Sequence, residues 1–246
     1  MIDLRIEEAS LNAWPALEQI LLDGWLIRFS RGYTKRANSV NPLYASAVPL
    51  EEHVQRCEEL YRARQQPCIF RLNSITAPGR LDQVLADRGY RIVDPSLVLQ
   101  LNLESAHTLQ PLSRRLKEEP LDTWLDLYCR FHGVARDQQF THETMLQRIP
   151  GGRLLASLPE GTEVAAIGLG VLGQDCFGLF DLVTAPTRRK HGHGAALVTA
   201  MLNWAQERGG KHAYLQVVET NVPARRLYEK LGFRELYRYW YRVPAD

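Results

Sequence analysis

The segment that most constrains this chain is a basic, glycine-containing loop, residues 186–194 (PTRRKHGHG), between a strand-like run and a helix-like run. Glycine at 192 and 194 lets the backbone approach a ligand closely, because no Cβ stands in the way. The helix expected next directs unpaired N–H groups and the positive end of its dipole at the loop. Such a terminus binds a pyrophosphate, and the cations of Arg188–Lys190 add attraction. The alternative is a basic turn whose glycines serve only its tightness.

Strand-like and helix-like patterns alternate on both sides of this loop, as in an α/β domain. In the second half of the chain the predicted helices are 121–131, 142–148, 195–206 and 223–231, and the predicted strands are 153–158, 163–172, 177–184, 213–218 and 236–242. The loop therefore joins the third strand of that half to its third helix.

The first half of the chain has its own succession of elements. Two predicted strands, 24–29 and 34–40, flank a turn, and they are followed by predicted helices 50–66 and 81–87 and predicted strands 68–72 and 92–103. Residues 104–120 are polar and unpatterned, which predicts a boundary there. We therefore expect two domains, 1–104 and 105–246, that share a strand–helix–strand ending.

A second motif, NVPARRLYEKLGF at 221–233, follows the loop. Together the two motifs resemble the GCN5-related N-acetyltransferase (GNAT) family. The family's loop, Arg/Gln-x-x-Gly-x-Gly/Ala, is matched by Arg189 to Gly194, and its next helix, Asn-x-x-Ala-x-x-Leu-Tyr-x-x-x-Gly-Phe, is matched by Asn221 to Phe233. The resemblance is specific over residues 120–243 and faint in the first half.

The resemblance implies a fold. It is an α/β fold with a mixed, mainly antiparallel sheet flanked by helices, joined to a smaller N-terminal α/β domain. Since the first half has no pyrophosphate loop, it would be a degenerate second copy in a tandem arrangement. That copy would have either a structural role or a place in the substrate site.

The resemblance also implies a cofactor site. Acyl-CoA would lie where the strands 177–184 and 213–218 splay apart, with backbone groups near Leu182 and Thr184 pairing with the pantetheine arm. Loop amides would hold the pyrophosphate, and Asn221 would hydrogen-bond the pantetheine. The implied loop contacts are Arg189, Lys190, His191, Gly192, His193, Gly194 and Ala195.

The implied chemistry is direct attack of a neutral amine on the thioester. Tyr228 lies where the family places a general acid, which would protonate the leaving thiolate. The alternative for Tyr228 is a core aromatic residue. The base is less clear, because Gln216 stands where many relatives carry glutamate. Asp181 and Glu219 are candidate bases; either could instead be a strand-end carboxylate, and a water chain could replace both.

A glycine motif, a histidine pair and a single histidine each have a simpler interpretation. Residues 168–173 (GLGVLG) match GxGxxG formally, but they lie inside a β-like run with no helix after it, so strand glycines are expected. His191 and His193 lack a ligand cluster, so no metal is expected. His132 could face the acceptor site or be a surface histidine.

The hairpin predicted near the N-terminus concentrates polar groups. Arg28, Arg36 and Asn38 could supply acceptor contacts, or they could tie down their own turn. The sequence favours the second interpretation.

Composition limits the partners. A net charge of +2 argues against nucleic-acid and membrane binding. Four dispersed cysteines, no signal-peptide pattern and no long apolar run predict a cytoplasmic protein.

The expected function is acetyl transfer from acetyl-CoA to a primary amine. The alternative is a non-catalytic acyl-CoA-binding or sensor protein. Acceptor identity, acyl chain length and oligomeric state stay open.

Overall fold

A computed structural model describes residues 2–77, 79–105 and 116–245. The chain forms two units. The first comprises residues 1–13, 98–217 and 221–236, and the second comprises 14–97, 218–220 and 237–246. Part of the expected linker, residues 106–115, lies outside the described residues.

The described elements follow one another in chain order. They are α1 (Ile2–Ala13), β1 (Glu18–Leu22), β2 (Trp25–Phe29), β3 (Val40–Pro42), α2 (Leu50–Arg62), β4 (Phe70–Asn73), α3 (Leu81–Asp87), β5 (Arg91–Asn102), β6 (Lys117–Glu118), α4 (Leu121–His132), α5 (Phe140–Gln147), β7 (Gly152–Glu160), β8 (Glu163–Gly173), β9 (Cys176–Thr184), α6 (His193–Gln206), β10 (His212–Val218), α7 (Val222–Lys230) and β11 (Arg234–Val243).

In the first unit the strand order is β5-β10-β9-β8-β7-β6. Neighbours from β6 to β9 are antiparallel, whereas β9 and β10 are parallel. In the second unit the order is β1-β2-β3-β4-β11, with β3 and β4 parallel and the other pairs antiparallel. The predicted α/β fold with a mixed, mainly antiparallel sheet is confirmed.

The two halves of the chain repeat one succession of elements. β1-β2-β3-α2-β4-α3-β5 has the same order as β7-β8-β9-α6-β10-α7-β11. In each succession the third and fourth strands are the parallel pair. This repeat gives the expected tandem arrangement a structural basis, and it makes the loop before α2 the counterpart of the loop before α6.

The units differ from the single boundary expected at residue 104. Helix α1 belongs to the first unit, where it contacts β8 and β9. The sequence did not indicate this helix, because its buried face includes the polar residues Glu7 and Ser10, which are 0% and 2% exposed. The regular spacing of apolar residues that would indicate an amphipathic helix is therefore missing from the buried face of α1.

The predicted hairpin near the N-terminus is confirmed in part. β2 pairs with β3 as expected, but β3 begins only at Val40, and β2 also pairs with β1. Most of the segment 34–40 is not a strand, and it contains a 3₁₀ helix, Lys35–Ala37. The reason is a side-chain brace: the Asn38 Oδ1 accepts hydrogen bonds from the backbone N–H groups of Ser30 (2.6 Å) and Gly32 (3.0 Å). That brace replaces the ladder bonds a strand would need.

Arg28 and Asn38 are structural residues in the second unit. Arg28 is 0% exposed and donates to the backbone oxygens of Arg36 and Trp14. Asn38 also donates to the backbone oxygen of Thr34 at 2.8 Å. These bonds support the interpretation in which the polar groups tie down their own turn.

The glycines at 168–173 lie inside β8, as expected. A Cβ on Gly170 would lie 2.4 Å from the Phe177 ring, and one on Gly168 would lie 2.7 Å from the Leu182 side chain. Met201 of α6 borders both positions. Close packing of β9 and α6 side chains, rather than a dinucleotide, explains Gly168 and Gly170.

We expect Gly170→Ala to lower the free energy of unfolding by about 1–3 kcal/mol, because the added methyl overpacks the buried Phe177 ring. Urea unfolding measures the change. Gly173→Ala is the matched control in the same strand, since its Cβ would meet nothing within 4 Å. Equal stability of the two variants would contradict this explanation.

Candidate functional site

The loop before α6 has the backbone shape that an anion site needs. Gly192 is the residue before the helix and has φ +80°, and Lys190 has φ +66°. The first hydrogen bond of the helix runs from the Ala196 N–H to the Gly192 oxygen at 3.0 Å. The amides of residues 193–195 precede that bond, so they are directed at the loop. This is the terminus that the sequence predicted.

Carboxylates from the β7–β8 turn hold two basic side chains beside this loop. Arg188 lies 2.6 Å from the Glu163 carboxylate and 3.5 Å from that of Glu160. The His193 ring is buried, and its Nε2 lies 3.3 Å from the Glu160 Oε2. The backbone N–H of His193, rather than its ring, is therefore the group that is directed at the loop. The side chains of Arg189, Lys190 and His191 are exposed.

The corresponding loop in the second unit already contains a carboxylate. The Asp23 Oδ2 accepts hydrogen bonds from the Ser46 hydroxyl (2.6 Å) and from the backbone N–H groups of Ala47 and Val48 (2.8 Å each). The Ser46 bond is the largest cause that lowers the pKa of Asp23, followed by the Val48 amide. An internal anion thus binds the amides that precede α2.

The parallel pairing of β9 with β10 stops partway along both strands. The last paired residues are Leu179 and Leu215. Opposite β8, the register of β9 shifts around Asp181, which has φ +47°, so the strand carries a β-bulge there. Leu182 and Thr184 follow the bulge, and Thr184 remains paired with Ala166. The predicted splay therefore begins immediately after Leu179.

Gln216 is the first residue of β10 beyond the paired segment. Its side-chain oxygen and nitrogen are both shielded from solvent, and within residues 2–77, 79–105 and 116–245 neither has a hydrogen-bond partner. A buried polar group without a partner costs about 1–3 kcal/mol. Such groups mark a place where a ligand would restore the missing bonds.

Helix α7 lies against the start of α6. A Cβ on Gly194 would lie 3.5 Å from the Leu227 side chain and 3.5 Å from the Thr184 hydroxyl. Asn221 caps α7, and its Oδ1 accepts the Ala224 N–H at 3.3 Å. Its amide N–H groups, rather than its oxygen, are the part suited to a further ligand contact.

Tyr228 is the buried aromatic residue of α7. Its side chain is in edge contact with Phe233, with ring centroids 6.0 Å apart, and the residue is 9% exposed. Burial raises the pKa of Tyr228 to about 12. The phenol is therefore protonated at neutral pH and able to donate.

The two candidate bases differ in their surroundings. Glu219 belongs to the second unit and lies 2.9 Å from Arg238 in an ion pair. Asp181 belongs to the first unit, as do Tyr228 and the loop, and its Oδ2 lies 3.1 Å from the His142 Nε2. The sequence does not indicate a functional role for His142, because nothing in its local pattern distinguishes it from a surface residue of a helix.

The described part of the chain contains no group of three or more histidine, cysteine or acidic residues that could hold a metal ion. All four cysteines are buried, and none is paired in a disulfide. None of the helices in the described ranges has the length and apolar character required to cross a bilayer. The cytoplasmic location stays a prediction.

Comparisons with known proteins extend over almost the whole chain. The family model described as "Probable histone acetyltransferase Rv0428c C-terminal" matches residues 3–242. A Bacillus subtilis protein named uncharacterized N-acetyltransferase YobR is 28% identical over 254 residues, which cover 99% of this chain and 99% of that protein.

Solved structures share the fold. A GCN5-related N-acetyltransferase from Kribbella flavida matches with a TM-score of 0.76 at 16% identity, covering 100% of this chain and 96% of that one. A tandem GNAT protein from the clavulanic acid biosynthesis pathway matches with a TM-score of 0.64 at 16% identity, covering 85% and 76%. The tandem arrangement therefore recurs in a solved structure.

Asp23 is expected to stabilise the second unit only while it is ionised. Its pKa is lowered in the folded state, so its contribution is complete above the ordinary value of 3.8 and is lost as the pH falls through the folded-state pKa. Asp23→Asn should therefore lower the urea midpoint at pH 7, and the difference from the wild type should shrink below about pH 4.

The control is Asp87→Asn, an exposed carboxylate of the same unit. A difference between wild type and Asp23→Asn that stays constant down to pH 2 would count against an ionised carboxylate at these amides.

Proposed function

We propose that this chain, which belongs to the family of the Rv0428c C-terminal region, transfers an acetyl group from acetyl-CoA to a primary amine. The N-acetyltransferase relative and the GNAT fold support the proposal. The transfer would proceed by direct attack in a ternary complex. The observation that carries the proposal is the end of β9–β10 pairing after Leu179 and Leu215, where the buried Gln216 side-chain amide lacks a partner among the described residues.

The pyrophosphate would bind at the start of α6. Amides of residues 193–195 would donate to its oxygens, and the exposed cations Arg189 and Lys190 would add attraction. The pantetheine arm would run along β9 past Leu182 and Thr184, where pairing with β10 has ended. The Asn221 amide would donate to the same arm.

Tyr228 would act as general acid. As the amine nitrogen forms its bond to the thioester carbon, the C–S bond breaks, and the Tyr228 proton passes to the leaving sulfur. Because burial raises the pKa of Tyr228 to about 12, the phenol keeps its proton until the thiolate forms beside it.

Asp181 is the base we favour over Glu219. It lies one residue beyond the start of the splay and in the same unit as Tyr228. Glu219, by contrast, is engaged by Arg238 at 2.9 Å. Asp181 would take the proton of the acceptor ammonium, directly or through water.

The test of the proposal is thiol release from acetyl-CoA in the presence of primary amines. The panel contains a lysine-rich histone peptide, a free amino acid, a polyamine and an aminoglycoside, since a related family member is described as a probable histone acetyltransferase. Amine-dependent release of CoA with formation of the acetamide supports the proposal.

A second candidate function is a non-catalytic acyl-CoA-binding or sensor protein. Gln216 favours it, because a carboxamide cannot accept a proton usefully where many relatives have glutamate. Saturable acetyl-CoA binding without thiol release across the whole panel would support the sensor and contradict the transferase.

Gly194→Ala is expected to raise the KM for acetyl-CoA about tenfold or more, because the methyl would stand where the pyrophosphate approaches the helix terminus. The protein itself tolerates the methyl, since its nearest atoms would lie 3.5 Å away. The melting temperature should therefore not fall. Gly152→Ala, with its nearest atom also at 3.5 Å, is the matched control. An unchanged KM would argue against a pyrophosphate at this terminus.

Tyr228→Phe is expected to lower kcat about 100-fold or more, because the thiolate then leaves without a proton donor. The ring contact with Phe233 is kept, so acetyl-CoA affinity and melting temperature should stay unchanged. Steady-state kinetics and calorimetry measure these quantities. A kcat equal to that of the wild type would remove Tyr228 from the chemistry and leave it as a core residue.

A further inference from the structure

A buried histidine of α5 meets the bulge of β9. The His142 side chain is 0% exposed, and its Nε2 lies 3.1 Å from the Asp181 Oδ2, whose side chain is 19% exposed. A carboxylate oxygen only accepts hydrogen bonds when ionised, so this contact places the proton of a neutral His142 on Nε2. The fixed tautomer makes His142 a donor to Asp181.

Aromatic rings fix the plane of the histidine. The His142 ring meets Tyr128 nearly edge-on at 4.7 Å and Trp124 at 6.1 Å between centroids. Trp124 is itself held by hydrogen bonds to the backbone oxygens of Ala156 and Gly168. The donor nitrogen is therefore held in one direction by the core of the first unit.

The backbone of Asp181 is also held in an uncommon shape. Its φ of +47° is in the left-handed region, which costs a non-glycine residue about 1 kcal/mol or more. That shape belongs to the bulge that interrupts the register with β8. The bulge directs the carboxylate at α5 just where the ladder with β10 has ended.

Other titratable groups surround the carboxylate. His132, at the end of α4, packs on Tyr128 with centroids 4.3 Å apart. Desolvation is the largest cause that lowers the pKa of His132; the Asp181 charge opposes it, whereas His142 and Arg189 lower it further. A lowered pKa keeps His132 neutral at neutral pH, so it does not neutralise Asp181 there.

We propose that Asp181 and His142 act as a pair on the acceptor amine, with Asp181 accepting the ammonium proton and His142 as the positioning residue. The inference rests on the proposed acetyl transfer. The His142 Nε2–H holds one carboxylate oxygen and leaves the other for the substrate. The ammonium N–H bond breaks, its proton passes to that oxygen, and the freed electron pair forms the C–N bond as the C–S bond breaks and Tyr228 protonates the leaving sulfur. The second proton of the attacking nitrogen then passes through water to the Tyr228 phenolate, which leaves a neutral amide and a neutral thiol. Asp181 then releases the proton to water.

The experiment compares wild type, His142→Phe, His142→Gln, Asp181→Asn and the double variant, with acetyl-CoA and the panel amine that the wild type acetylates fastest. His142→Phe keeps the ring and removes the donor, so kcat/KM for the amine should fall about 10- to 100-fold. Acetyl-CoA affinity should not change.

Two further comparisons separate positioning from folding. His142→Gln retains a donor and should recover part of the loss. The double variant His142→Phe/Asp181→Asn should be no slower than Asp181→Asn, since the histidine acts through the carboxylate. His53→Gln, at the buried histidine of the second unit, is the control and should leave kcat/KM for the amine unchanged.

Additive losses in the double variant, or a His142→Phe enzyme as fast as the wild type, would overturn the pair while leaving acetyl transfer intact. Nitrogen NMR of the wild-type histidines tests the pair without turnover. The proposal therefore stays testable even if the His142→Phe variant does not fold. The wild type should carry its His142 proton on Nε2, and a proton on Nδ1 would overturn the proposal. Absence of thiol release with every amine would instead contradict the proposed function.

Discussion

The backbone N–H groups of the loop and first turn that lead into a helix must have partners, and the two halves of the chain meet this requirement differently. In the first unit the carboxylates Glu160 and Glu163 take up the side chains of Arg188 and His193, and the amides of residues 193–195 stay directed at the loop. In the second unit the Asp23 carboxylate binds the amides before α2. At the corresponding place in the repeat, the second unit thus carries an internal carboxylate on two loop amides, whereas the first unit directs the amides of residues 193–195 at its loop.

The second constraint is the end of parallel pairing between β9 and β10. The ladder stops at Leu179 and Leu215. Just beyond it, the Asp181 side chain contacts His142, whereas the Gln216 side-chain amide has no partner in the described ranges. We therefore propose that the cofactor and the acceptor amine react where the pairing of β9 with β10 ends. The cofactor would bind on the side of α6, and the acceptor amine on the side of α4 and α5.

Local spacing explains what the sequence predicted well. The loop at 189–194 and the segment 221–233 are short, contiguous motifs, so their elements and the GNAT family could be identified directly. Helix α1 was missed because Glu7 and Ser10 lie on its buried face. The second strand of the first hairpin was predicted to start too early, because the bonds of Asn38 outweigh the strand propensity of its neighbours.

The acceptor side was less accessible to sequence reasoning. His142 and Asp181 are 39 residues apart, and only the folding of α5 over the bulge brings them together. In the same way, Asp23 reaches Ala47 and Val48 through a tertiary contact that no local pattern encodes. Pairs of this kind depend on packing, which a single sequence does not reveal.

The central claim is that one of the two repeated helix termini binds the cofactor. Titration calorimetry of the whole chain with CoA tests it most directly, because it counts sites. We expect one CoA per chain, with an affinity that falls as salt is added, because the added ions screen the charges of the loop cations. Two equivalent sites per chain, or no binding, would contradict it.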